Sequence, residues 1–153
     1  MDKERLKGKN ILITGAGRGM GAAAGEYFCA QGAKVCLTDV NIDGCKEIEE
    51  KIRSNGGEAI SCKLDVRKRE DHVAAIKATV DAFGSLNVSL NNAGVNKPLF
   101  FMDITEENYD FIMDINVRGP LLGMQEQARQ MIKQGKDNGP YKILHVASIL
   151  SRE

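Results

Sequence analysis

Residues 10–28 read "NILITGAGRGMGAAAGEYF". The stretch 10–14 is a short apolar run, the pattern of a buried strand. Glycine then recurs at 15, 17, 19 and 21, and small residues follow. A strict G-x-G-x-x-G counted from Gly15 fails, because Met20 holds its last position. Counted from Gly17, it ends in the permitted variant Ala22. Three physical tasks choose among these glycines. One turns the chain sharply off the strand, one lets backbone N–H groups approach a pyrophosphate at the helix N-terminus, and one lets the helix pack closely. Gly15 directly follows the strand and fits the turn. Gly19 and Gly21 open the helix and fit approach and packing, with Arg18 and Met20 on either side of Gly19. Ala22, Ala23, Ala24 and Gly25 keep the helix face small.

Working outward, apolar strand-like runs alternate with longer amphipathic segments. Gly32 stops the helix at 19–31. A second strand covers 33–39. The helix at 42–54 carries Ile42, Cys45, Ile48 and Ile52 on one face and ends at Asn55-Gly56-Gly57. The third strand is 58–66, and the helix at 70–83 turns Val73, Ile76 and Val80 inward. The fourth strand is 86–92. Thr105 caps a long helix to about Lys133, with Glu106 and Glu107 in its first turn. The fifth strand is 141–148. This order predicts an α/β fold: a Rossmann-like, doubly wound parallel sheet of five strands, in one domain over residues 1–153.

In such sheets ligands bind beyond the carboxyl ends of the strands. All five ends here carry polar or glycine signals: Thr14-Gly15, Asp39, Asp65, Asn91-Asn92 and Ser148. A carboxylate at Asp39 can accept hydrogen bonds from both hydroxyls of an adenosine ribose and repels a 2′-phosphate, which favours NAD over NADP. Arg18 is a counter-signal, since a cation in this loop can meet such a phosphate. Asp39 outweighs it, because its repulsion would have to be overcome first.

Composition removes other classes. The 21 basic and 21 acidic residues cancel, so no basic field points to nucleic acid or to a membrane surface. Apolar runs are too short to span a bilayer. The charged start "MDKERLKGKN" is no secretory signal. Four cysteines without a CxxC pair, and only two histidines, give no zinc spacing. They read as free thiols in a reducing cytoplasm.

"TGAGRGMG" (14–21), the acid after strand two, Asp65-Val66 after strand three and "NNAG" (91–94) form a set. It resembles the short-chain dehydrogenases/reductases of the classical type, over essentially the whole chain. The resemblance implies that Asp65 hydrogen-bonds the adenine amino group with Val66 flanking the ring. It implies that Asn92, Ala93 and Gly94 lie beside the adenosine ribose, and that Asn91 steadies the central sheet. Asn116, in "MDINVRG", matches the family's active-site asparagine, and Ser148, in "HVASIL", its catalytic serine. It further implies a small alcohol or carbonyl substrate and a homo-oligomer, dimer or tetramer, built through the long helix.

Asn116 also has a case of its own. An α-helical carbonyl at 116 accepts from the N–H of residue 120, and Pro120 has none. The expectation is a free Asn116 carbonyl, available to a relay water as in the family.

Several features depart from the pattern. Asn87 and Ser89 interrupt a fourth strand that should be apolar if buried on both faces, so they must bond locally or mark a wetter face. His145 reads as a satisfied core histidine. Leu99, Phe100, Phe101 and Met102 are expected to pack the start of the long helix; the other option is an apolar pocket lining. The family's Tyr-x-x-x-Lys motif is not among these residues: Tyr27, Tyr109 and Tyr141 are followed four positions later by Gln31, Met113 and His145. The chain therefore reads as an amino-terminal portion, with C-terminal strands and a helix missing and an open sheet edge. The alternative to an oxidoreductase is a truncated or inactive module that holds the dinucleotide without turnover. A methyltransferase reading is disfavoured, since Ile13 and Thr14 stand where that class places an acid.

Overall fold

The computed structural model describes residues 4–147. Five parallel strands, β1 (Asn10–Thr14), β2 (Lys34–Asp39), β3 (Glu58–Lys63), β4 (Val88–Asn91) and β5 (Lys142–His145), lie in the order β3-β2-β1-β4-β5. The order reverses between β1 and β4, so the sheet splays open at the carboxyl ends of those two strands. Helices α1 (Gly19–Ala30) and α2 (Ile42–Ser54) cover one face. Helices α3 (Arg69–Phe83) and α5 (Gly119–Gln134) cover the other. The doubly wound reading of the sequence holds, with strands β3, β4 and β5 shorter than their apolar patterns.

β1 is buried along its whole length and supplies both cores. Ile11 and Ile13 face Val35, Leu37, Cys45 and Ile52 on the α1/α2 side. Leu12 faces Cys36, Ile76, Leu86 and Met131 on the other. The α2 stripe is as expected: Cys45 and Ile52 are buried, and Ile42 and Ile48 pack against the same core. Burial pushes the Cys45 thiol up to about 12, so it behaves as a core residue. All four cysteines are free. On α1, Gly25 is the contact with the sheet: a Cβ there would stand 2.6 Å from Leu37 Cδ2. Ala22 is buried beside it, whereas Ala23 faces outward.

Asn87, just before β4, and Asn91 within it have their side chains hydrogen-bonded. Asn87 Oδ1 accepts the Asn10 N–H at 3.0 Å, and its amide donates to the Asn138 carbonyl at 2.7 Å. Asn91 and Gln127 of α5 exchange two amide hydrogen bonds, at 3.0 and 2.8 Å. Ser89 is 0% exposed, and its hydroxyl has no partner among the described residues.

Four expectations need correction. In α3 the inner face is His72, Ala75, Ile76 and Thr79, and Val73 is 48% exposed. Ile76 is buried and Val80 packs against the same core as expected, so only Val73 is misplaced; the small and polar His72, Ala75 and Thr79 that complete the inner face carry no apolar signal. The long helix is broken. It begins at α4 (Glu106–Met113), capped by Thr105 Oγ1 as expected. It then makes a π-helical turn, Asp114–Arg118, before α5. Gly119 N–H bonds the Asp114 carbonyl, one residue beyond the α-helical interval. Pro120 cannot supply the next α-helical donor, and the wide turn re-phases the helix around it. His145 is exposed rather than core, because no element among the described residues covers β5 on that face. Phe100, Phe101 and Met102 are 84–88% exposed and pack neither helix nor pocket.

Among the described residues no helix is long and apolar enough to cross a membrane, and no cluster of His, Cys, Asp or Glu is placed to hold a metal ion.

Two stability predictions arise here. Gly25→Val should destabilise by about 1–3 kcal/mol through overpacking against Leu37, read as a lower urea midpoint with unchanged slope. The second concerns His72, 1% exposed. Its Nε2 faces the Val66 carbonyl at 2.9 Å, so that nitrogen carries the proton, and Nδ1 has no partner among the described residues. Burial lowers the His72 pKa. The unfolded chain therefore takes up a proton first, and stability falls as pH drops below about 6.5, by at most about 1.4 kcal/mol per pH unit. His72→Gln should remove that slope. Parallel curves for the two proteins between about pH 7 and 5 would contradict it.

Candidate functional site

β1 ends at Thr14, and the chain must leave the sheet at once. Gly15 does this with φ +67°, and a Cβ there would stand 2.7 Å from Ala93 Cα. Gly19 opens α1 with φ +58° and nothing within 4 Å of its missing Cβ. Gly21 lies beneath the turn: a Cβ there would be 2.1 Å from the Gly15 carbonyl oxygen. The sharp turn thus falls on Gly15 and the close packing on Gly21, with open space at Gly19. Gly17 has a role the motif count missed. Its N–H donates to Asp39 Oδ2 at 3.0 Å, and a Cβ there would crowd that carboxylate.

The second wall comes from β4. Thr14 Oγ1 accepts the N–H groups of Asn92 and Ala93, both at 3.1 Å. The Asn92 amide donates back to the carbonyls of Thr14 and Gly15, at 3.1 and 3.0 Å. This clamp fixes the glycine turn against the start of "NNAG". Beyond it, Asn116 Oδ1 accepts from Val95 N–H and its Nδ2 donates to the Val95 carbonyl, both at 2.8 Å. The Asn116 side chain is thereby used to hold the strand extension. Pro120 supplies the Asn116 backbone carbonyl no α-helical donor.

The third wall is the ends of β2 and β3. Asp39 caps the loop below it, with Oδ1 accepting from Asn41 N–H at 2.9 Å. Asp65 lies just past β3, and its backbone N–H donates to Asp71 Oδ2 at 2.9 Å. Its carboxylate is gripped by Arg67, and that hydrogen bond holds its pKa below the ordinary range, so Asp65 stays ionised.

Between these walls is a cavity of about 670 Å³ at the point where the strand order reverses. From the first wall it is lined by Gly15, Arg18, Gly19 and Met20, from the second by Asn92, Ala93 and Gly94, and from the third by Asp39, Asp65 and Val66. Gly21 lies under the turn rather than in the lining. Asn116 stands at its edge, bonded to Val95, which does line it. Ser148 lies outside the described residues. Lys63, in register with Asp39, and Arg67 also line the cavity and were not singled out in the sequence.

A dinucleotide fits this arrangement. The first turn of α1 has no acidic side chain and no side-chain cap on its N–H groups, and the space a Cβ at Gly19 would fill is open. Such N–H groups, together with the helix dipole, suit a pyrophosphate.

Comparisons with known proteins agree with this geometry. The family model described as short chain dehydrogenase matches residues 9–153. An uncharacterized oxidoreductase of Thermotoga maritima is 41% identical over 85% of this chain and 51% of its own length. A diacetyl reductase, (S)-acetoin forming, of Staphylococcus epidermidis is 36% identical over 95% of this chain and 55% of its own. The chain thus spans about half the length of these curated relatives. Among solved structures, a short chain dehydrogenase/reductase from Burkholderia phymatum in complex with NAD superposes with TM-score 0.88. It is 30% identical, over 94% of this chain and 50% of that one. A short chain dehydrogenase from Burkholderia cenocepacia in complex with NADP gives TM-score 0.87 at 29% identity, over 97% and 59%. With its glycine turn, clamp and strand-end acids in place, the chain belongs to the short-chain dehydrogenase/reductase family of oxidoreductases, whose cofactors are nicotinamide dinucleotides.

Proposed function

We propose that the protein carries out NAD-linked hydride transfer to or from a small alcohol or ketone. The observation that carries this reading is the convergence of the uncapped α1 N-terminus, Asp39, Asp65 and the "NNAG" segment on one cavity. When bound, the nicotinamide supplies or accepts the hydride. The chain's own residues would do the rest. Gly19 and the first N–H groups of α1 would hold the pyrophosphate, with Arg18 and Met20 over it and Gly21 keeping the turn tight. Asp39 would take the ribose hydroxyls. Asp65 and Val66 would hold the adenine, and Asn92, Ala93 and Gly94 would border the ribose.

Asp39 supports NAD over NADP by like-charge repulsion of a 2′-phosphate. Its two oxygens already accept N–H groups from Gly17 and Asn41, so the carboxylate is held in one orientation. On the substrate side, Ser148 would hydrogen-bond the reacting oxygen and the Asn116 carbonyl would hold a relay water. Proton exchange with that oxygen would fall to a tyrosine with a lysine lowering its pKa. No Tyr-x-x-x-Lys occurs among these 153 residues. A second reading is a dinucleotide-binding module that holds the cofactor without turnover. The small-substrate assignment draws on the diacetyl reductase relative. A homo-oligomer and a cytoplasmic setting complete the reading.

Two measurements test it. A form of the protein that supplies the tyrosine and lysine should oxidise small secondary alcohols with NAD+, followed by nicotinamide absorbance. Saturable NAD+ binding without turnover on any small alcohol or ketone would leave the binding-module reading. For cofactor choice, Asp39→Ala should weaken NAD+ roughly tenfold or more, the loss of a charged hydrogen bond, while NADP+ holds or gains. A parallel loss for both would contradict Asp39 as the discriminator.

A further inference from the structure

Two residues past Asp65, Arg67 turns its side chain back onto that carboxylate. Arg67 Nε donates to Asp65 Oδ1 at 2.9 Å and to Oδ2 at 3.2 Å, and Arg67 Nη2 donates to Oδ2 at 2.6 Å. The Arg67 backbone N–H also donates to Oδ1, at 3.1 Å. The two side chains therefore form a bidentate fork through Nε and Nη2. Both residues line the cavity, and the Arg67 side chain remains 45% exposed.

Counting lone pairs and hydrogens shows what the fork leaves over. Asp65 Oδ1 has two donors and is filled. Oδ2 accepts fully only from Nη2, because the one Nε hydrogen is directed mainly at Oδ1 and reaches Oδ2 at 3.2 Å, so Oδ2 keeps an acceptor position. Nη2 has spent one of its two N–H groups and keeps the other, and the guanidinium carries five in all. The free acceptor on Oδ2 and the free donor on Nη2 are thus side by side, across a 2.6 Å contact. An adenine edge presents the complement: an exocyclic amino donor next to a ring-nitrogen acceptor, N7 on one side and N1 on the other.

We propose that Arg67 is a base-reading residue of this site, donating from Nη2 to a ring nitrogen of adenine while Asp65 Oδ2 accepts from the exocyclic amino group. The proposal rests on reading the cavity as a dinucleotide site. It assigns to Arg67 a contact of its own with the base, beyond holding Asp65 in place. A carboxylate alone would reward any exocyclic amino group, and the fork adds a requirement for the neighbouring acceptor. Arg67→Lys would not reproduce it, because an ammonium cannot form that bidentate fork with the carboxylate.

The test uses AMP, 1-deaza-AMP and 7-deaza-AMP, titrated calorimetrically into the purified protein and into Arg67→Met. Each deaza analogue keeps the amino group and removes one ring acceptor. One of the two should bind the wild-type protein roughly three- to tenfold more weakly than AMP, the worth of one hydrogen bond. That penalty should vanish in Arg67→Met, with Arg67→Ala as a second truncation at the same exposed position. If both analogues bind the wild type as AMP does, the proposal fails while the nucleotide site stands. If the penalty persists undiminished in Arg67→Met, another group reads the ring nitrogen and the proposal also fails. If AMP and NAD+ both fail to bind, the dinucleotide reading itself is overturned.

Discussion

The turn after β1 passes so close to the chain leaving β4 that only glycine fits at its start. A side chain at Gly15 would overlap the Ala93 backbone, and one at Gly21 would overlap the Gly15 carbonyl. The Thr14 hydroxyl and the Asn92 amide convert that close approach into four hydrogen bonds. Other parts of the site depend on this clamp. It sets where α1 begins, so it fixes the direction in which the uncapped N–H groups point. It also fixes the "NNAG" segment, and through Val95 the position of Asn116. Loosening one contact would move the floor and two walls of the cavity together.

Much of this was legible in the sequence because it is a constraint on the backbone. Glycine at a positive φ or at a close approach cannot be replaced cheaply, so Gly15, Gly19 and Gly21 carry their reasons in their spacing. Strand-end acids are legible in the same way, since Asp39 and Asp65 interrupt apolar runs. The clamp was only half visible. Asn92 was read as a neighbour of the ribose, and its bonds to the turn appear only once β1 and β4 lie side by side. Gly17 was set aside by motif counting, although it is the donor that orients Asp39.

The misreadings share a physical cause. On α3, apolar periodicity pointed to Val73, but the close contact with α5 is made by His72 against Gly123, where a Cβ would meet the imidazole at 2.8 Å. Small and polar residues at a tight helix crossing give periodicity nothing to weigh. The broken long helix was foreshadowed by Pro120, yet the one-residue slip into a π turn depends on how α5 must rotate to meet the sheet. Phe100, Phe101, Met102 and His145 were expected to be covered, and among the described residues nothing covers them. Burial belongs to the assembled neighbours and cannot be read from residue type alone. Arg67 belongs to a third kind. An Asp-x-Arg spacing is common, and only the geometry shows the two side chains joined in a bidentate fork.

The central claim is that the open N-terminus of α1, at the reversal of strand order, is built for a dinucleotide's phosphates. The most direct measurement is a calorimetric titration of NAD+ into the protein and into Gly19→Val. The valine would put a side chain into the open space at the start of α1, at a φ that disfavours it. The account predicts saturable one-to-one binding by the wild type and its loss in the variant, with the far-ultraviolet circular dichroism of the two proteins unchanged. Equal binding by both, or none by a folded wild type, would contradict it.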